Sequence, residues 1–174
     1  LTVDGYEQEI DLHAALTIAE DNITLDFDGT SGLSNKGINV PLNYATAYSV
    51  FALRCIIGPD IPNNTGSLAP FHVTGPKDCI LNAQPPAPVA MRHTLGQMTP
   101  DLVYGCLAQV LPNKVPAEGA SCMYDLPLRH VPEAVSRGDE LFALELVFSG
   151  GTGARPGLDG LSATAFPSGV LGSQ

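Results

Sequence analysis

An α+β fold with a mixed β-sheet, two main helices and long loops rich in proline and glycine is what this chain predicts, on three observations. Stretches with the period-two alternation of strands flank two stretches with helical periodicity, so strands and helices come in mixed order. Glycine and proline number 18 and 15 among 174 residues, above ordinary usage, which shortens elements and lengthens the loops between them. Hydrophobic residues make up 44% and charged residues 15%, enough apolar material for one buried core in a chain of single-domain length.

Residues 7–29 alternate as a hairpin. Ile10, Leu12, Ala14, Leu16 and Ile18 lead to a turn at Glu20-Asp21-Asn22, and Ile23, Leu25 and Phe27 return. The hairpin ends in Asp26-Phe27-Asp28-Gly29, where two carboxylates at i and i+2 either bind a cation or share a solvent face. A first helix is expected over about 41–57: Asn39 offers a cap, Pro41 stands in the first turn, and Gly58-Pro59 stops it. Tyr44, Tyr48, Phe51, Ala52 and Cys55 recur at helical spacing and are expected to face the core. Prolines then punctuate 59–91, with Phe71-His72-Val73 a short strand in which His72 is a hydrogen-bonded strand residue rather than a ligand.

Thr99-Pro100-Asp101 supplies an N-cap, a first-position proline and an acid on the helix dipole, and so opens a second helix over about 100–111. Leu102, Val103, Cys106, Leu107, Val110 and Leu111 are expected inside, and Pro112-Asn113 ends the helix. A weakly alternating strand over 122–130 ends in His130, and a turn at Ser136-Arg137-Gly138-Asp139 leads to the most strand-like run, 141–148.

A net charge of −10 with the eight basic residues scattered singly repels phosphate backbones, which excludes nucleic acid as a partner. The uncharged span between Lys36 and Arg54 is too short and too polar to cross a bilayer. Cys55, Cys79, Cys106 and Cys122 form no C-x-x-C pair and are expected to be reduced thiols of a cytoplasmic chain without a signal peptide, with Cys55 and Cys106 buried on their helices. The chain opens on Leu1 and closes on Gly-Ser-Gln, and is expected to be a single domain, 1–174, cut from a larger polypeptide.

The candidate site centres on Gly150-Gly151-Thr152-Gly153-Ala154-Arg155-Pro156-Gly157-Leu158-Asp159-Gly160, directly after the 141–148 strand. Two readings stand side by side: a loop that carries chemistry on a rigid scaffold, and a tight turn with a structural Arg-Asp pair. A dinucleotide fingerprint starting at Gly151 would need glycine where Pro156 stands, and no G-K-[ST] occurs. Within the loop, Arg155 offers a planar fork of donors for a carboxylate or a charged carbonyl oxygen, and Asp159 is expected to hold the loop. Arg92-His93, just before the second helix, either holds an anion and moves a proton or forms a salt bridge and caps a turn. With Asp101 these make five candidate catalytic residues: Arg92, His93, Asp101, Arg155 and Asp159.

Several of these segments, in this order, resemble the hydantoinase B family. They are Asp26-Phe27-Asp28-Gly29-Thr30-Ser31, Asn39-Val40-Pro41-Leu42, Leu53-Arg54-Cys55 with Gly58-Pro59-Asp60-Ile61-Pro62-Asn63-Asn64-Thr65-Gly66, Arg92-His93, Val115-Pro116-Ala117-Glu118-Gly119, and the closing glycine stretch. The resemblance covers nearly the whole chain and corresponds to the family's middle. It implies part of the B-type subunit of an ATP-dependent cyclic amide hydrolase of the N-methylhydantoinase or 5-oxoprolinase type, in a cytoplasmic hetero-oligomer whose A-type partner binds ATP with Mg. The alternatives are the alpha-type subunit of an acetone or acetophenone carboxylase, acting on a ketone, and a non-catalytic scaffold. The resemblance assigns no cofactor or metal to this segment, and associates a divalent metal with the family's N-terminal part.

Overall fold

The computed structural model describes residues 1–120, 123–129 and 143–162. Helices and strands both contribute, as the α+β expectation requires. Strands β1 (Thr2–Asp4) and β2 (Glu9–Asp11) form an antiparallel pair. Strands β3 (Ala15–Ala19) and β4 (Asn22–Asp26) form the hairpin expected around Glu20, which takes the left-handed conformation (φ 53°) at the turn. Strand β5 (Phe71–Thr74) then joins β4 in parallel, Ile23 opposite Phe71 and Asp26 opposite Thr74, so this three-stranded sheet is mixed. A parallel neighbour needs a crossover. Helices α1 (Leu42–Ile56) and α2 (Thr65–Leu68) lie within it. After α3 (His93–Gly96) and α4 (Thr99–Ala108), strands β6 (Met123–Arg129) and β7 (Ala143–Ser149) form a separate antiparallel hairpin. His130, Cys122 and the turn at 136–139 lie outside the described residues.

One core joins the first two sheets to α1 and α4. Ile10 and Leu12 from the β2 edge, Leu25 and Phe27 from β4, Ala45, Ala52 and Leu53 from α1, and Leu102, Val103 and Leu107 from α4 pack together with loop residues Val40, Ile80 and Leu81. The long loops are held by their own backbone bonds. The N–H of Val40 donates to Ile80 O at 2.8 Å, that of Ala83 to Val40 O at 3.0 Å, and that of Ile80 to Ser31 O at 2.9 Å.

Four expectations are corrected here. Asn39 is no helix cap: it is fully buried, accepts the Ser34 N–H on Oδ1 at 2.8 Å and donates through Nδ2 to the carbonyls of Ser34, Lys36 and Pro88, while Pro41 takes the cap position. The α1 stripe is turned: Ala45, Ser49, Ala52 and Leu53 face inward, and Phe51 is 59% exposed. The line of full burial on α1 therefore falls on small side chains and Leu53 rather than on the larger residues that dominate the periodicity. Cys55 is accordingly exposed; Cys106, on α4, is only half-buried, and among the described cysteines Cys79, in a loop, is the buried thiol. Val110 lies beyond the end of α4 and is also exposed.

Candidate functional site

The glycine stretch folds back on itself and against the segment before β6. The N–H of Ala117 donates to Ala154 O at 2.8 Å, that of Ala120 to Gly151 O at 2.9 Å, and that of Thr152 to Leu161 O at 3.0 Å. Arg155 and Leu158 exchange backbone hydrogen bonds, both 2.9 Å, around Pro156-Gly157. Gly157 has φ 72°, so proline followed by a left-handed glycine makes a type II turn. Gly151, Gly153 and Gly160 serve close backbone approach. A Cβ on Gly153 would overlap the Ala117 carbonyl, one on Gly151 the Leu161 carbonyl, and one on Gly160 the Thr152 carbonyl.

This ribbon forms one wall of a cleft of about 350 Å³. The opposite wall comes from α4, whose first turns present Pro100, Asp101 and Tyr104, and from Phe51 on α1. The expected Thr99 cap is corrected: α4 begins at Thr99 with Met98 in the cap position, and the buried Thr99 hydroxyl donates to the Gly96 carbonyl at 2.9 Å. Pro100 stands in the first turn, and residues 101 and 104, three apart on one face, line the cleft. Arg155 lines the same cleft.

The two ionic groups of the cleft differ in setting. Burial raises the Asp101 carboxyl to about 6, opposed by the Gly119 backbone N–H that it accepts and reinforced by neighbouring Glu118. Asp101 therefore exchanges its proton near neutrality. Arg155 is exposed on the rim of a turn built by backbone alone, and no ion pair joins it to Asp159. Tyr104 is pushed above its ordinary range, first by burial, and its hydroxyl meets the Cys55 thiol.

Of the five residues singled out, Asp101 and Arg155 share this cleft, and Arg92, His93 and Asp159 do not line it. Arg92 lies over the Tyr44 ring, its Cζ 5.6 Å from the centroid, and donates to the Val89 carbonyl at 3.4 Å. His93, half-buried, opens α3 beside it. Asp159 is exposed on the outgoing arm of the turn, and the expected role of holding the loop falls to the backbone bonds instead. Tyr104 and Phe51 are cleft residues that sequence reasoning missed. The spacing of Tyr104 three residues after Asp101 carried that signal, whereas Phe51 was absorbed into an apolar stripe.

Other candidates resolve into structural roles. The Asp28 N–H donates to Asp26 Oδ1 at 3.2 Å, a local turn, and His72 Nε2 lies 3.0 Å from Asn22 Oδ1, the strand hydrogen bond expected of it. Among the described residues no group of three or more His, Cys, Asp and Glu could hold a metal ion. Among them, too, no helix is long and apolar enough to cross a membrane.

A family model described as hydantoinase B/oxoprolinase matches residues 2–172. The putative B subunit of a D-/L-hydantoinase from a Pseudomonas species is 26% identical over 92% of this chain and 28% of its own length. 5-Oxoprolinase 1 of Arabidopsis thaliana is 30% identical over 87% of the chain and 11% of its own length. An uncharacterised protein of Methanocaldococcus jannaschii is 29% identical over 66% of the chain and 20% of its own length. The chain thus spans between about a tenth and about a quarter of these relatives.

Proposed function

Since the chain belongs to the hydantoinase B/oxoprolinase family, we propose that it is part of the B-type subunit of an ATP-dependent cyclic amide hydrolase and contributes one wall of the substrate site. An A-type partner supplies ATP chemistry. The observation that carries this reading is the cleft that Asp101 and Arg155 both line.

Opening a cyclic amide adds water across one C–N bond. The attacking water must lose a proton, the leaving nitrogen must gain one, and the carbonyl oxygen carries negative charge between the two events. A carboxyl group poised near pH 6 suits the proton transfers, and a guanidinium suits the oxygen or a substrate carboxylate. Arg155 stands on a backbone-braced turn with its donors free of Asp159, so its fork is available to a ligand.

The test is Arg155→Lys in the complete enzyme with its A-type partner. Charge stays and bidentate geometry goes, so turnover of a cyclic amide with ATP is expected to fall about tenfold or more at unchanged thermal stability. Unchanged turnover would return the loop to a structural part. The position of Arg92, His93 and Asp159 outside the cleft favours a second reading, a scaffold segment, and the same measurement decides between them. Supplying a ketone with bicarbonate in place of the cyclic amide separates the carboxylase alternative.

A further inference from the structure

A groove of about 650 Å³ runs between α1 and the Pro59–Asn63 loop, on the side of α1 that faces β5. Its volume lies in the range of small-molecule sites, roughly 300–1,000 Å³. Its lining is apolar: Val50, Phe51, Leu68 and Phe71 contribute, together with Ile61, which is 53% exposed. No carboxylate lines it. One cation does, Arg54, which is only 8% exposed.

Arg54 donates from Nη1 to the Ile57 carbonyl at 3.2 Å, from Nη2 to the Ile61 carbonyl, and from Nε to Asn63 Oδ1 at 3.4 Å. These bonds cap the end of α1, where the helix dipole favours a cation. All three acceptors are uncharged. In a chain with 18 Asp and Glu, none of the described carboxylates lies within ion-pair distance of this guanidinium. Glu20 and Asp21 line a smaller hollow that also reaches Arg54, but they do not line the groove. A guanidinium has five N–H donors and three are used here, so donors remain for one more acceptor. A buried charge without a counter-ion is costly, and an anion arriving on the apolar side is favoured both by charge and by the surface its tail covers.

We propose that this groove binds a small apolar carboxylic acid, its carboxylate on Arg54 and its tail against Ile61, Phe51 and Phe71. The site is separate from the Asp101 cleft, although Phe51 borders both. It stands or falls without the proposed amide chemistry.

Cys55 is exposed and lines the groove, so it reports occupancy. The rate of Cys55 alkylation by iodoacetamide, followed by peptide mass spectrometry, would be measured against octanoate and against octanol. Octanoate is expected to protect Cys55 saturably at concentrations at least about tenfold below those at which octanol does, since only the acid can use the guanidinium. Equal protection by acid and alcohol, or none by octanoate up to about ten millimolar, a loose-affinity bound, would overturn the proposal. Because Arg54 also caps α1, its replacement could unfold the chain; Ile61→Glu is the second variant. It sets a competing carboxylate in the groove and is expected to abolish protection while the melting temperature holds. Undiminished protection in Ile61→Glu would equally overturn it.

Discussion

Asp101 shows how one side chain is made reactive by its neighbours. Its carboxyl is raised from 3.8 to about 6, chiefly by burial, so between those values the folded chain keeps a proton that the unfolded chain has released. Stability contributed by this group is therefore present at low pH and lost as pH rises through that window. Replacing it with Asn removes the dependence: Asp101→Asn should match the parent in thermal melts near pH 4 and gain on it progressively up to pH 6 and above. Identical pH profiles would contradict the burial of the carboxyl. In the complete enzyme the same variant is expected to lose roughly 10²–10⁴ in turnover, the range of general acid–base catalysis. Asn39 is the structural counterpart. Its amide satisfies four backbone groups around the 34–39 and 88 loops, so Asn39→Leu should cost roughly 1–3 kcal/mol in denaturant unfolding by stranding buried partners. A cost below about 0.5 kcal/mol, the ordinary size of a surface change, would show those partners to be solvated. Neither role is visible in the residue's own identity, since Asn39 before Pro41 carries the marks of a cap and Asp101 those of a dipole partner.

At the scale of elements, the glycine ribbon is a packing device first. The chain at 151–154 runs between 117–120 and 158–161, with backbone so close on both sides that a Cβ has no room at Gly151, Gly153 or Gly160. Gly153→Ala should destabilise the chain by about 1–3 kcal/mol through overpacking against the Ala117 carbonyl, and should move Arg155 with the ribbon. Gly105, exposed on α4 with open space around it, is the control position: Ala there is expected to stabilise by about 0.5–1 kcal/mol through helix propensity. Equal effects at the two positions, read as denaturant midpoints, would argue against the ribbon. The hairpin around Glu20, the starts of α1 and α4 and the end of α1 were legible because turn residues, the prolines at 41 and 100 and the Gly58-Pro59 stop sit beside the periodic runs they bound. The inward face of α1 was not. Periodicity weights large apolar residues, but the core encloses the small side chains of Ala45, Ser49 and Ala52.

For the molecule as a whole, the cleft and the Arg54 groove adjoin at Phe51 of α1, which lines both. Neither wall carries a phosphate-cradling glycine fingerprint, and the net charge is −10. Calorimetry of this chain with Mg-ATP is accordingly expected to show no binding, and micromolar affinity would move the nucleotide site onto this segment. What the sequence determined by itself is local or cumulative: fold class, the hairpin, two helices, the acidic surface and the collinear motifs of the family. These depend on short-range periodicity, on turn chemistry and on summed composition. The parallel docking of β5 on β4, the inward line of α1, the placing of Asp101 and Arg155 in the lining of one cleft and the separation of Arg92 and His93 from it were decided only by tertiary structure. Each depends on which segments, distant along the chain, pack against one another, and that is a property of surfaces meeting rather than of residues in order.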